Sequence, residues 1–446
     1  MMLWQHALPA GIPFDNEVCV TDMGMRDTNM LMGSRLLAGG MLLLLVSLAA
    51  LAGPREQAMR IHDRLTGVPA STAMLDAMEQ ALSGSGGAAL AAMYAMDGAP
   101  GVPATGDFYT VTLKNWATPW TNVAQDVFAP LNDYSATIIG MVRDDRDFRD
   151  ILSGNIIYLG AINGIPAYSA SDNRHYEALE ASGRNLGDPA VLAADSQSGV
   201  SGLPASGVAG VMTTRAAARA FFVDGTNRAM FRFTVLNHLC MDLEQLKDST
   251  RPADRIRQDI SRSPGGDSQL FFNQCMSCHT GMDPMAQAFA YYDFPYPEEE
   301  AFPELALDDR RDLGSLVYTP AVVQPKYHIN AANFPTGYAT PNDHWTNYWR
   351  LGDNSGRIGW RNPAGNSGAV DMAVNPAYAE GDGAASLGRE LANSEAFSYC
   401  QVKKAFRAVC LREPMPSLSE SSAVDGFVNS FNASHSMKQV FADVAG

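Results

Sequence analysis

The amino-acid sequence predicts a mainly α-helical protein with long loops. Apolar residues recur at three- and four-residue spacing in several stretches, which is the pattern of a helix with one buried face. The apolar–polar alternation of half-buried strands is scarce, and stretches rich in Gly, Ala, Pro and Asn separate the periodic ones. The length of 446 residues allows two or three domains, and a hydrophobic fraction of 46% provides a sizeable core.

Periodic and loop-like stretches alternate along the chain. Residues 55–81 favour a helix broken at Gly67-Val68-Pro69, and one long helix is expected over 213–241. Further helices are expected at 384–392, 395–411 and 422–443. We predict this organisation: an N-terminal helical domain at 53–185, a linker at 186–210, a central segment at 211–295, a loop-rich region at 296–383 and a C-terminal helical module at 384–446.

The N-terminal region has the features of an export signal. Arg35 precedes an apolar run, 36–52, which ends in the small-x-small pattern Ala50-Leu51-Ala52. We expect 25–52 to be a cleaved signal peptide, with a retained membrane anchor as the alternative. Residues 1–24 contain Cys19 and three acids, which such a signal does not need, so we expect them to be absent from the mature protein. The predicted location is periplasmic or secreted, with no stable membrane span after cleavage.

The charge balance narrows the possible partners. Lys and Arg number 32 against 48 Asp and Glu, a net charge of −16, so binding to nucleic acid is not expected. A local excess of acids over 298–312 could receive a basic redox partner protein, although such runs are more often solvated loops. Six cysteines are too few for a disulfide scaffold of this length.

The most specific pattern is Cys275-Met276-Ser277-Cys278-His279, which has the form Cys-x-x-Cys-His. This form is typical of c-type haem attachment, in which both thiols form thioethers with the haem vinyl groups and the histidine ligates the iron. A thiol-redox motif, a zinc site and a structural disulfide are the alternatives. The first expects a βαβ setting and the second another ligand pair, neither of which is visible, and the third leaves His279 unexplained. The sequence therefore predicts one covalent haem c.

The surroundings of the motif suit this prediction. Ser268 is expected to cap a helix that enters the motif, Gly281 to end it, and Asp283 to cap the next helix, with Pro284 at its first position. Two sets of residues are expected near a haem. The first set would form an apolar face that packs on the macrocycle, or simply in the core, and consists of Met285, Phe289 and Tyr292. Possible propionate partners, which could equally be solvated, are Lys247, Arg251, Arg255, Arg257 and Arg262.

The run from Cys275 to Pro284, Cys-Met-Ser-Cys-His-Thr-Gly-Met-Asp-Pro, resembles a family of exported bacterial c-type cytochromes. Their haem motif is followed by Met-Asp-Pro, and the domains that flank it are of unknown function. The further stretches that fit the family are 210–214, 225–228, 239–240, 387–391 and 397–400. The resemblance implies a cytochrome-c-like haem segment within a multi-module helical protein, and redox work outside the cytoplasm.

The sixth iron ligand would decide the function, because a closed iron carries electrons and an open one invites substrate chemistry. Met372 and His344 lie far enough from the motif to reach the distal face, and either is a tentative ligand. We expect an exported mono-haem electron-transfer protein that works with a redox partner. The alternative is a haem enzyme, or its redox subunit, with an open sixth position and a substrate pocket in the 107–180 region.

Three cysteines remain besides those of the motif. Cys400 and Cys410 lie ten residues apart in one predicted helix, about 15 Å along its axis, which is too far for a disulfide. Cys240 is then expected to bond one of them. Cys400 is favoured because it lies near the start of its helix, where a neighbour can approach as in the resembling family. Cys410 would remain a buried free thiol.

Overall fold

The computed structural model describes residues 53–223, 225–328, 335–361 and 379–446. The expected signal peptide at 25–52, the residues before it and Met372 lie outside these ranges. Within them the protein is mainly helical, as the sequence predicts, with little strand. None of the described helices combines the length and apolar character needed to cross a bilayer.

The first two helices follow the predicted periodicity. They are separated by Gly67 in the left-handed conformation and by Pro69. The helices before residue 241 are α1 (Pro54–Thr66), α2 (Thr72–Ser83), α3 (Gly87–Asp97), α4 (Lys114–Ala117), α5 (Asp133–Arg143), α6 (Arg174–Ala181), α7 (Gln197–Val200), α8 (Arg215–Phe221) and α9 (Arg228–Leu239). A π-helical turn, Phe108–Leu113, precedes α4.

The single helix expected over 213–241 is wrong, because the chain turns between α8 and α9. Asn227 adopts the left-handed conformation with φ 58°, which ends any continuous helix there. Its side-chain amide donates to the carbonyls of Phe289 and Tyr292, at 2.9 Å each. The break therefore ties the start of α9 to the end of the helix that carries the cysteine motif.

The later helices include the ones expected near the C-terminus. They are α10 (Ser268–Leu270), α11 (Met276–Ala286), α12 (Leu307–Asp312), α13 (Asp353–Ile358), α14 (Gly383–Ala392), α15 (Glu395–Cys410), α16 (Leu418–Ser434) and α17 (Met437–Ala445). The amphipathic stretch predicted at 422–443 is two helices, because His435 adopts a positive φ of 54° between them.

The described part of the chain contains three small antiparallel sheets beside the helices. They pair β1 (Ile157–Gly160) with β2 (Leu192–Asp195), β3 (Tyr292–Asp293) with β4 (Val317–Tyr318), and β5 (His344–Asn347) with β6 (Ala379–Asp382). Strand β2 lies inside the range 186–210, for which a linker is expected. Leu192 and Ala209 of that range belong to one buried apolar cluster that extends from Ala58 to Val444, so these residues pack as part of the core.

Candidate functional site

The cysteine motif lies on one nearly continuous helical rod. Asp267, not Ser268, caps α10, and its carboxylate accepts from the Gln269 backbone N–H at 2.8 Å. A π-helical turn, Phe271–Cys275, connects α10 to α11 and ends at the first motif cysteine. Single π-turns inside helices are frequent at functional sites because they reorient side chains locally.

Gly281 does not end the helix, and Asp283 does not begin another, so both expectations are wrong. Helix α11 continues through Gly281 and Pro284 to Ala286. A Cβ atom at position 281 would lie 1.9 Å from the indole Nε1 of Trp349, which is fully buried. Glycine is required here by close packing against that indole rather than by a helix stop.

The two motif cysteines differ from the other cysteines of the described chain. Cys275 and Cys278 are free thiols and partly exposed. Burial, followed by the nearby Glu244 carboxylate, raises the pKa of the Cys278 thiol. The remaining three are disulfide-bonded. This difference disfavours a structural disulfide within the motif and leaves both thiols available for covalent attachment.

His279 is held by a carboxylate one helical turn away. Its Nδ1 lies 3.1 Å from Oδ1 of Asp283, and its side chain is 15% exposed. An ionised carboxylate can only accept, so the contact requires a proton on Nδ1. In the neutral imidazole, Nε2 then carries the lone pair that a metal binds, and the ring orientation is fixed by the partner.

Asp283 is ionised because buried arginines surround it. Burial acts against its charged form, but Arg228 first, then Arg257 and His279, outweigh it and hold the pKa of the carboxyl well below its usual range. Arg228 donates to both carboxylate oxygens, at 2.7 and 2.9 Å, and the backbone N–H of Arg257 donates at 3.2 Å. Asp259 is the second carboxylate partner of Arg228, at 2.8 Å. Through the Asp283 contact at Nδ1, this network fixes the orientation of the His279 imidazole.

An apolar face beside the motif is open. Phe272, Met276 and His279 recur at four- and three-residue spacing, which places them on one side of the rod. Phe272 is 51% exposed, and Cys275, Met276 and His279 keep part of their surface. An exposed aromatic ring beside two free thiols and an oriented imidazole is a surface that suits a flat apolar ligand.

The apolar face predicted for the macrocycle is packed against protein instead. Met285, Phe289 and Tyr292 are fully buried. Phe222 of the neighbouring α8 region lies 5.6 Å from the Phe289 ring and 5.3 Å from the Tyr292 ring, measured between centroids. Core packing is therefore the role of these three residues, and Phe272 lies on the face that stays open.

All five basic residues upstream of the motif have partners in the described protein. Lys247 pairs with Glu244, and Arg251 pairs with Asp248 at 3.2 Å. Arg255 donates to neutral oxygens of neighbouring side chains and of the backbone. These side chains brace the segment that precedes the motif.

Arg255, Arg257 and Arg262 each keep at least one buried N–H group without a hydrogen-bond partner among the described residues. Arg257 lies between Asp283 and Asp259 with its Nε and Nη1 unbonded, and burial followed by Arg228 lowers its pKa. The Arg262 guanidinium lies 4.9 Å over the Phe271 ring and donates to one backbone carbonyl, while its buried Nη1 donates to nothing. Burial also lowers the pKa of Arg262. An anionic group beside Phe271 could accept a hydrogen bond from the unbonded Nη1 of Arg262. Arg262 is therefore the basic residue that best fits a haem propionate.

His344, one of the two tentative distal ligands, is engaged elsewhere. Its Nδ1 lies 2.9 Å from Asp382 Oδ1, across the β5–β6 pair, and its Nε2 lies 3.6 Å from Glu380 Oε2. Met282 and Met285 are buried in the core. In the parts of the chain that the structure describes, no group of three or more His, Cys, Asp or Glu side chains is arranged to hold a metal ion.

The expected disulfide partner of Cys240 is Cys400, and the structure joins these two. Their Cα atoms lie 5.3 Å apart across 160 residues of chain, connecting the end of α9 to α15. Cys410 is disulfide-bonded as well, so the expectation that it is a free thiol is wrong.

The sequence analysis missed the Asp283–Arg228 network. Interpreting Asp-Pro as a helix start concealed the signal that could have found it, which is the four-residue spacing between His279 and Asp283. That spacing places the two side chains on the same helix face once the helix is continuous. Arg228 is distant in sequence and gives no local signal.

Comparison with known proteins gave no match to a family model, to a curated protein or to a solved structure.

Proposed function

We propose that this protein is an exported mono-haem c-type cytochrome that acts in electron transfer. The observation that carries the proposal is the contact between His279 Nδ1 and Asp283. His279 directly follows the second of two free thiols in the sequence. The carboxylate leaves Nε2 as the ligating atom, which is the arrangement expected of a metal-bound histidine. The Cys-x-x-Cys-His form of the motif supplies the remaining support.

The residues of this chain fit a covalently bound haem. Cys275 and Cys278 would form the thioether links, His279 would be the proximal ligand and Arg262 would pair with a propionate. When bound, the haem supplies a one-electron iron couple. Asp283 keeps the proton on Nδ1 of His279, and Arg228 and Arg257 balance the negative charge of the Asp283 carboxylate.

We place the protein outside the cytoplasm, in the periplasm or beyond. The apolar run before Gly53 supports export. The Cys240–Cys400 disulfide supports an oxidising compartment, because such bonds persist there. The partner would be a redox protein, and the acidic stretch at 298–312 is the surface that suits a basic one. Within this stretch, Asp312 is paired with Arg215 and Arg219, and Glu299 and Asp308 are paired with Arg310 and Arg311.

A haem oxidoreductase with an open sixth position is the second candidate. The observation that favours it is the contact of His344 Nδ1 with Asp382 at 2.9 Å, which engages this tentative distal ligand across the β5–β6 pair. A reduced haem that binds CO would support this candidate. A low-spin reduced spectrum unchanged by CO or peroxide would support the electron carrier.

Covalent attachment is tested on a denaturing gel. Haem staining should survive boiling in the wild type and in Cys400→Ala, and it should be lost in Cys278→Ala. Staining that persists in Cys278→Ala, or that is absent from the wild type produced with the haem-attachment machinery, would refute the proposal.

A further inference from the structure

A second site lies away from the cysteine motif. A cleft of about 780 Å³ opens between α1, the π-helical turn Phe108–Leu113, the end of α9 and α15. Its walls include Trp116, Trp120, Val111 and Leu411, and Lys404 lines it from α15. We call it the Lys404 cleft. Its volume lies within the ~300–1,000 Å³ range of small-molecule pockets, and apolar walls with a few polar groups are typical of them.

Among the described residues, the ammonium group of Lys404 has no carboxylate partner. Its Nζ donates to the Asn237 carbonyl at 2.7 Å and lies 3.2 Å from the centre of the Trp120 ring and 5.6 Å from that of Trp116. Lys404 is partly buried and lines the cleft, and burial lowers its pKa well below the usual range. A lysine has three donors, so donors remain beyond the one given to Asn237.

The other charged groups around the cleft do not neutralise Lys404. Lys403 and Arg407 share Glu413 at the surface, at 3.3 and 3.5 Å. The exposed residues Asp63 and Arg64 of α1 also line the cleft. On α9, the buried His238 has a pKa well below its usual range, because of burial first and Lys404 second, so it is neutral. Four basic side chains against two acidic ones leave the cleft cationic in a chain whose net charge is −16.

We propose that the Lys404 cleft binds a small organic monocarboxylate with an apolar aliphatic or aromatic body. The carboxylate pairs with Lys404 Nζ, and the body lies against Trp116, Trp120 and Leu411. A single desolvated ammonium can neutralise one negative charge, whereas a phosphate dianion would need several converging donors. The apolar walls favour a ligand whose remainder is apolar, since each buried CH₂ group adds to affinity.

The site is independent of the haem assignment. No described residue of α11 lines the cleft. Helix α9 connects the two regions, because it carries Arg228 at its start and Asn237 near its end, about 13 Å apart along the helix axis. A failure of haem attachment would therefore not contradict the carboxylate site, and a failure of carboxylate binding would not contradict haem attachment.

The test is calorimetric titration of the full-length mature protein with benzoate and with benzamide, its neutral counterpart. We expect benzoate to bind at least about tenfold more tightly than benzamide, because only the anion pairs with Lys404. Lys404→Met should weaken benzoate binding at least about tenfold. Lys438→Met, whose ammonium is paired to Asp97 and which does not line the cleft, is the matched control and should leave binding within about threefold.

Proton linkage provides a second readout. Burial lowers the pKa of Lys404, and pairing with a carboxylate would raise it again, so benzoate binding should be accompanied by proton uptake, measured in buffers of different ionisation enthalpy. The uptake should vanish in Lys404→Met. Equal binding of benzoate and benzamide to the wild type, no binding of either, or no proton uptake would each overturn the proposal. Selective labelling of Lys404 by an aldehyde and cyanoborohydride, without protection by benzoate, would also overturn it and would indicate carbonyl chemistry.

Discussion

Replacing Asp283 with asparagine removes the charge on which the His279 arrangement depends. The substitution keeps the size of the side chain and one oxygen acceptor. It leaves Arg228 and Arg257 buried, with Asp259 as their remaining carboxylate partner. The variant therefore tests both the stability and the function that we assign to this network.

The expected loss follows from the geometry. Two unit charges about 4 Å apart interact by ~4 kcal/mol at an effective dielectric constant of ~20. Asp283 faces Arg228 at 2.7 Å and Arg257 at 3.7 Å, while Asp259 keeps part of the balance. We expect Asp283→Asn to lower the free energy of unfolding by about 3 kcal/mol, near the lower end of the ~3–5 kcal/mol for breaking a buried pair.

Urea unfolding of the haem-loaded protein measures this loss. The control is Asp312→Asn, which breaks a pair whose carboxylate is 52% exposed and should cost less than about 1 kcal/mol. In Asp283→Asn, the midpoint reduction potential of the proposed haem should rise, because a neutral amide partner makes His279 a weaker electron donor to the ferric iron. Equal unfolding midpoints for the two variants would refute the stability argument, and an unchanged potential would refute the role assigned to Asp283.

Three further outcomes are expected. Gly281→Ala should destabilise the protein by about 1–3 kcal/mol in urea unfolding, since a methyl group would collide with a buried indole, whereas Gly426→Ala, with open space in its helix, should be neutral or stabilising. Because the pKa of Asp283 is depressed in the folded state, its contribution should be complete above about pH 4 and lost as the pH falls further; acid titrations of wild type and Asp283→Asn that run parallel would contradict this. Replacing Cys240 and Cys400 with serine should cost about 3–5 kcal/mol, because their bond closes a loop spanning 160 residues, and a midpoint equal to that of the oxidised wild type would exclude such a contribution.

Local patterns in the sequence were enough for the fold class and for several of the described helices. Apolar periodicity predicted α1, α2, α14 and α15, because a buried face leaves a regular trace in the sequence. The motif from Cys275 to His279 could also be recognised from the sequence, because haem attachment requires two cysteines and a histidine at fixed spacing. The separation of Cys400 and Cys410 along one helix could also be calculated without coordinates.

The tertiary structure decided what each of these residues contacts. Gly281 and Pro284 carry strong local signals for helix ends, yet packing against Trp349 and the Asp283 network keep α11 continuous. Arg228 and Asp283 lie 55 residues apart, and Lys404 lies 167 residues from Asn237, at separations where sequence periodicity carries no information. Long-range contacts of this kind are created when helices pack, and the electrostatic environment of each buried charge depends on them.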